Sequence, residues 1–336
     1  MRLDWTVYRL ELTTPLRISR STMARRDAVR VVVSCDGHVG HGEVVTSVYY
    51  GLDVPRIIVL LKEFQAVAAD FDDPAALLAA LPEIDAPGVT AAVDAALHDL
   101  IGQRLGVPVR ELVGSPQWSD TPTAYTIGIS SPEQAARQAA ALVARGFRVL
   151  KVKLGSEHDE AVLAAIRAMA PDARLLLDPN GGWSAEHTVR VMDRMSDYGV
   201  NAVEQPIAPG QLESLAWVSE RVAVPVIADE DAATVADVRA LAGAVAGVNI
   251  KLAKCGGLSA ARELIAAARE GGMDVMLGCL VASSLGIAPA VHLSGQARWI
   301  DLDGHLLLAH DPWQGIGGED GTLRLTDAPG LGVVAR

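Results

Sequence analysis

Six short apolar runs in the second half of the chain end in charged residues, and this pattern constrains the fold most. The runs have the length and the branched aliphatic content of β-strands, and amphipathic stretches typical of helices separate them. Their terminal residues are Lys153, Asp178, Glu204, Asp229, Lys251 and the pair Asp301 and Asp303. From Lys153 to Lys251, successive ends lie about 25 residues apart, the length of one strand, one helix and two short loops in a parallel sheet.

A (β/α)7β TIM-type barrel with an N-terminal α+β capping domain accounts for this pattern. We expect the capping domain over residues 1–115, with three strands followed by three helices, and the barrel over residues 116–311. A Gly-rich tail over residues 312–336 replaces the last helix and is expected to pack back on the capping domain. Eight barrel strands are predicted near 122–129, 147–153, 174–178, 200–204, 225–229, 247–251, 274–279 and 298–303.

Composition excludes several classes of protein. The formal charge of −12 disfavours a nucleic-acid partner, which requires a basic surface. The first residues lack the apolar stretch of a signal peptide, so we expect a cytoplasmic protein. Gly and Pro residues break the long uncharged run Val275–Leu293, which therefore predicts a buried strand and helix and no membrane partner. Three scattered cysteines indicate no disulfide framework, and homo-oligomerisation stays open.

Three of the charged strand ends predict a metal site. The C-terminal ends of barrel strands converge on one rim, where active sites of this architecture lie. Asp178, Glu204 and Asp229 end strands 3, 4 and 5, and carboxylate oxygens without His or Cys suit a hard cation such as Mg²⁺.

The lysines predict acid/base chemistry beside that metal. Lys153 and Lys251 end strands 2 and 6, half a circumference apart, so they should face each other across the mouth of the barrel. Mg²⁺ on a substrate carboxylate stabilises the enediolate that forms when the α-proton is removed. One lysine on each face allows racemisation or epimerisation, whereas one lysine acting alone allows β-elimination or cycloisomerisation.

Each of these residues also has an ordinary structural interpretation. A carboxylate after a strand is often the N-cap of the next helix, and Asp178 and Asp229 fit that role. A Lys-x-Lys pair is usually a solvated strand edge. Cys279 is expected to line the site as a small buried residue rather than to act as a nucleophile, because no His is placed to activate it. The joint pattern on consecutive strands favours a functional site.

At these residues the chain resembles the enolase superfamily, and within it the muconate lactonizing enzyme subgroup. The motifs are LKVKLG, LLLDPNGGW, AVEQP, VIADE and NIKLAKCGG, and the resemblance extends over nearly the whole chain. It implies that Lys153 and Lys251 are the acid/base pair, that Lys151 helps to hold the substrate carboxylate, and that Mg²⁺ binds to the three strand-end carboxylates. Ala282 stands where many relatives have Glu, which leaves these assignments intact.

The motif IDLDG is similar to the Asp-x-Asp of the dipeptide epimerases, the L-Ala-D/L-Glu epimerase group. This resemblance implies that Asp301 and Asp303 receive the α-ammonium group of a dipeptide, which is epimerised at its C-terminal residue. A diacid would meet repulsion from two aspartates. The alternatives are muconate cycloisomerase, o-succinylbenzoate synthase or N-acylamino acid racemase activity, or a non-catalytic metal- or ligand-binding relative. Substrate preference is expected in two cap loops that contain Arg17, Arg20, Arg25, Arg26, Tyr49 and Tyr50.

Overall fold

The N-terminal part of the chain forms an antiparallel sheet covered by helices. The computed structural model describes residues 1–82, 84–116 and 120–336. The sheet has the order β1-β2-β3, with β1 at Arg2–Ile18, β2 at Ser21–Cys35 and β3 at His38–Val45. Three helices follow, α1 at Val54–Ala68, α2 at Pro74–Ala79 and α3 at Pro87–Leu105, and a short helix α4 at Val109–Leu112. Asp53 and Asp73 cap α1 and α2 with their side chains.

The first of the two predicted cap loops is a β-hairpin instead. Strands β1 and β2 continue to the pair Ile18 and Ser21, so the basic segment stands out from the sheet as paired backbone. The prediction of a loop was wrong, because cross-strand pairing continues through the segment LRISRSTMARRD. Leu16 and Met23 also pack against the main core, so one face of the hairpin is partly buried.

Eight parallel strands form the barrel, in the order of the chain. Their bounds are β4 Ala124–Ile127, β5 Val149–Lys153, β6 Arg174–Asp178, β7 Val200–Glu204, β8 Val226–Ala228, β9 Gly247–Ile250, β10 Asp274–Gly278 and β11 Trp299–Asp301. Hydrogen bonds close the ring between its first and last strands, because the Leu302 amide donates to Thr123 Oγ1 at 3.0 Å. The eight strands confirm the predicted (β/α)7β architecture.

Helices surround the sheet between every pair of successive strands. Their bounds are α5 Pro132–Arg145, α6 Asp159–Met169, α7 Ala185–Arg194, α8 Leu212–Ser219, α9 Val235–Ala240, α10 Leu252–Cys255, α11 Leu258–Glu270 and α12 Ser284–Val291. Residues 302–336 contain no helix, as the sequence predicts. Among the described helices, none is both long and apolar enough to cross a membrane.

The tail contacts both parts of the chain. The Leu331 amide donates to Asp99 of α3 at 2.8 Å, and Thr322–Leu323 pairs with Thr121–Pro122 at the start of the barrel sequence. The division into residues 1–115 and 116–311 stays a prediction, and residues 117–119 beside its boundary lie outside the described part of the chain.

A layer of apolar side chains fills the interior of the barrel and fixes which residues face the site. This layer consists of Ala124, Val149, Leu176, Ala202, Ile227, Met276 and Trp299. Side chains alternate between the two faces of a strand, so the residue two positions further along also points inward. Neighbours such as Leu175 and Leu177 point outward and pack with the surrounding helices in the main core.

Candidate active site

A layer of polar side chains lies directly above the apolar interior layer. Two positions after six of the seven inner apolar residues stand Thr126, Lys151, Asp178, Glu204, Asp229 and Asp301, all of them buried. The same alternation carries Lys153 and Asp303 inward one further step along β5 and after β11. The strand period thus gathers seven of the nine predicted site residues at one end of the barrel. The other two, Lys251 and Cys279, directly follow β9 and β10.

Lys151 is the centre of this polar layer. Its Nζ lies 2.5 Å from Glu204, 2.7 Å from Asp301 and 3.0 Å from Asp178. Burial lowers the pKa of Lys151, but the carboxylates of Asp301, Glu204 and Asp178 outweigh burial and raise it well above its usual value. Lys151 is therefore protonated among these carboxylates, which suits it to holding a substrate carboxylate.

The other two predicted lysines flank this centre on strands four positions apart in the ring. Lys153 Nζ is 2.5 Å from Asp178, and Lys251 Nζ is 2.6 Å from Asp229. Burial lowers the pKa of Lys251, but the carboxylates of Asp229 and Glu204 outweigh it, so the pKa is raised. A lowered lysine pKa, as a general base requires, therefore needs a further positive charge on these carboxylates.

The three strand-end carboxylates fit a divalent cation in chemistry and in charge. Asp178, Glu204 and Asp229 end neighbouring strands and are fully buried. Burial and the Asp178 carboxylate raise the pKa of Glu204 to about 7 despite the nearby Lys151, so a bound cation would favour the ionised form of this carboxylate. Glu204 Oε2 contacts Lys151 without hydrogen-bond geometry. Within the described residues no three acidic, His or Cys side chains form a ready metal cage, because the lysine ammonium groups lie between the carboxylates.

Asp301, the last residue of β11, and Asp303 line the pocket next to Lys151. Asp301 Oδ2 accepts from Lys151, and its buried Oδ1 has no hydrogen-bond partner among the described residues. Asp303 Oδ2 accepts from the Thr126 amide at 2.6 Å. Burial and the neighbouring Asp301 raise the pKa of Asp303 to about 6. Both side chains line one pocket of about 150 Å³ together with Lys151, Lys153 and Lys251.

Comparison with known proteins assigns the chain to a family. The family model described as enolase C-terminal domain-like matches residues 134–336. The chain belongs to the enolase superfamily. The L-Ala-D/L-Glu epimerase of Bacteroides thetaiotaomicron is 33% identical over 99% of this chain and 88% of that protein. The hydrophobic dipeptide epimerase of Roseobacter litoralis is 33% identical over 99% of each chain.

A solved structure extends the likeness to the whole fold of this enolase-superfamily chain. The dipeptide epimerase from Enterococcus faecalis, complexed with Mg and L-Leu-L-Tyr, superposes with a TM-score of 0.93 at 29% identity. The superposition covers 100% of this chain and 99% of that one. These relatives confirm the resemblance to the dipeptide epimerases inferred from the motifs.

Cys279 lines the same pocket as Asp301 and Asp303. Burial and the Asp303 and Asp301 carboxylates raise the pKa of its thiol. A thiol with a raised pKa is a poor nucleophile, which agrees with a lining role.

The cap residues divide into those that reach the site and those that do not. Arg17 and Arg25 are exposed. Arg20 donates to Glu230 at 2.6 Å and lies over the ring of Tyr49 at 4.3 Å. Arg26 and Tyr50 line cavities at the barrel mouth, Arg26 beside Cys279 and Tyr50 beside Lys251. Burial lowers the pKa of Arg26 to about 10.

Three residues that hydrogen-bond to the proposed metal ligands were not predicted from the sequence. Asn249 Nδ2 donates to Glu204 Oε1 at 2.8 Å, and the Asp229 amide donates to Gln205 Oε1 at 2.9 Å. Lys254 Nζ donates to Asp229 Oδ1 at 2.7 Å. For Asn249 the signal was present, because it stands two residues before Lys251 and therefore faces inward. Gln205 has a left-handed φ of 35°, and no sequence motif predicts that conformation.

Proposed function

We propose that this protein is a Mg²⁺-dependent dipeptide epimerase that inverts the α-carbon of the C-terminal residue. The observation that carries the proposal is one pocket lined by Lys153 and Lys251, on strands half the ring apart, and by Asp301 and Asp303 at the last strand. A cation-binding end and a carboxylate-binding end match a zwitterion that spans the mouth of the barrel. The L-Leu-L-Tyr complex of the Enterococcus faecalis relative supports this match.

The residues of this chain hold the substrate at both ends. Lys151 carries positive charge in the centre of the pocket and attracts the substrate carboxylate. The α-ammonium group of the dipeptide pairs with Asp301 and Asp303, whose charges are otherwise only partly balanced. The C-terminal α-carbon then lies between Lys153 and Lys251. One lysine Nζ removes the α-proton from one face, and the other returns a proton to the opposite face.

Asp178, Glu204 and Asp229 are the residues that would hold Mg²⁺. When bound, the cation supplies the positive charge that stabilises the enediolate, and its field favours a neutral lysine next to it. Asn249 and Lys254 hold the carboxylates of Glu204 and Asp229 in place by hydrogen bonds, and Gln205 holds the main-chain amide of Asp229. We also expect the protein to act in the cytoplasm. The proposed reaction requires neither a membrane nor a nucleic-acid partner.

Proton exchange in D₂O tests the proposal directly. With enzyme and Mg²⁺, ¹H NMR of a dipeptide library should record loss of the C-terminal α-proton signal together with the appearance of the diastereomer. Exchange in N-succinylamino acids or turnover of muconate, with every dipeptide inert, would instead assign an N-acylamino acid racemase or a cycloisomerase.

Variants of the two lysines test the two-base mechanism. Lys153→Ala and Lys251→Ala should each abolish epimerisation, while exchange persists from the one substrate epimer whose proton faces the remaining lysine. Mg²⁺ affinity, measured by calorimetry, should survive in both variants. Loss of exchange from both epimers in a variant that still binds Mg²⁺ would contradict separate roles for the lysines.

A further inference from the structure

A second cavity lies between the capping domain and the barrel. Its volume is about 320 Å³, twice that of the catalytic pocket, and it falls in the size range of ligand pockets, about 300–1,000 Å³. An apolar cavity of about 150 Å³ already admits benzene. The cavity is therefore large enough for an aromatic or a branched aliphatic side chain.

Small residues on two facing helices create this space. The lining includes Gly88, Ala91 and Ala95 of α3 and, from the barrel, Ala282 together with Gly286 and Ala290 of α12. The spacing of three and four residues places each helical set on one face of its helix. An empty apolar cavity destabilises a folded protein in proportion to its volume. Larger side chains at these positions would fill the space, so its retention points to an occupant.

The charged residues of the wall turn their polar groups toward protein partners. Glu43 accepts from the hydroxyl groups of Tyr8 and Ser283 and from the Ser283 amide. Lys254 donates to Asp229, and Arg56 donates to backbone carbonyl groups of the capping domain. Glu230 is an exception, because its buried Oε2 has no hydrogen-bond partner among the described residues. The rest of the lining is mainly apolar. We therefore expect an occupant whose surface is mostly apolar.

The cavity adjoins the catalytic pocket. Lys251, Cys279 and Leu280 line both spaces. A substrate whose α-carbon lies beside Lys251 can extend a side chain past Cys279 under the cap. We propose that this cavity is a side-chain subsite that accepts a large apolar side chain of the substrate dipeptide. The inference rests on the proposed dipeptide epimerisation and names the substrate class of the same site.

A dipeptide panel tests the subsite with the intact enzyme and Mg²⁺. The panel consists of Ala-Ala, Ala-Leu, Ala-Phe, Leu-Ala and Phe-Ala, so that each position is varied separately. Wild-type protein should epimerise at least one of the Leu or Phe peptides with a kcat/KM about ten- to 200-fold above that of Ala-Ala, the effect of filling an apolar pocket. Equal kcat/KM values across the panel would overturn the proposal.

Cavity-filling variants locate the preference. Ala91→Leu on α3 and Ala290→Leu on α12 should each lower kcat/KM for the preferred large peptide at least tenfold and leave Ala-Ala nearly unchanged. The matched control Ala66→Leu lies on the exposed face of α1 and should change neither value. Equal losses for Ala-Ala and the large peptide, in a variant with normal Mg²⁺ affinity, would refute the subsite.

The two proposals fail in different ways. If no dipeptide exchanges its α-proton, the epimerase function itself is wrong. If Ala-Ala and the large peptides are epimerised equally well, only the subsite is wrong. The wild-type panel decides this even if neither cavity-filling variant folds.

Discussion

Replacing Asp303 by asparagine isolates the charge that the proposed mechanism assigns to the ammonium end of the substrate. The side chain is buried, and its Oδ2 accepts from the Thr126 amide at 2.6 Å. Asparagine has the same shape, and its carbonyl oxygen can keep that hydrogen bond. Asp303→Asn therefore removes one negative charge while the local backbone stays in place.

The magnitude follows from the loss of one partner of a buried ion pair. Such truncations cost ~2–5 kcal/mol, or roughly 30- to 4,000-fold. We expect kcat/KM for a free dipeptide to fall within that range in Asp303→Asn. Mg²⁺ affinity should stay nearly constant, because the three proposed Mg²⁺ ligands lie on β6, β7 and directly after β8.

N-acetylation of the substrate provides the second arm of a thermodynamic cycle. Acetylation deletes the ammonium charge, so it should impair wild-type protein about as strongly as the mutation does, and should have little further effect on Asp303→Asn. The assay is ¹H NMR of the α-proton with free and N-acetylated forms of one dipeptide. Equal turnover of both forms by wild-type protein would refute the ammonium-binding role of Asp303.

Three further predictions concern pH, the metal and the cap. Because the pKa of Asp303 is raised to about 6, wild-type kcat/KM should fall as the pH drops below 6 and this carboxylate is protonated, and the pH–rate profile of Asp303→Asn should lack that limb. Asn249→Ala removes the hydrogen bond to Glu204 and should weaken Mg²⁺ binding ~10- to 100-fold by calorimetry; Asn201→Ala, whose side chain accepts from the amide of Leu175 at the start of β6, should not. Burial raises the pKa of Glu43 from 4.5 to about 7, so the folded protein retains a proton that the unfolded chain loses, and the free energy of unfolding should fall as the pH rises from 4.5 to 7. Urea titrations should find that decrease smaller in Glu43→Gln, by on the order of 3 kcal/mol.

The sequence by itself determined the barrel and the polar end of it. Side chains alternate along a strand with a period of two. The inward-facing apolar and charged positions can therefore be identified from the sequence of runs such as RLLLD and VNAVE. Parallel βα units of similar length bring such strand ends to one rim, whatever the details of packing. The opposition of Lys153 and Lys251 followed from counting strands alone.

Only the tertiary structure decided which charged and polar side chains pair with one another. Lys151 meets carboxylates that are 27, 53 and 150 residues away along the chain, and no local pattern specifies which of their oxygens it contacts. The hairpin that carries Arg20 to Glu230, and the cavity between α3 and α12, depend on how the capping domain sits on the barrel. Such contacts join segments that are distant along the chain, so they depend on how those segments pack together and leave no periodic signature in the sequence.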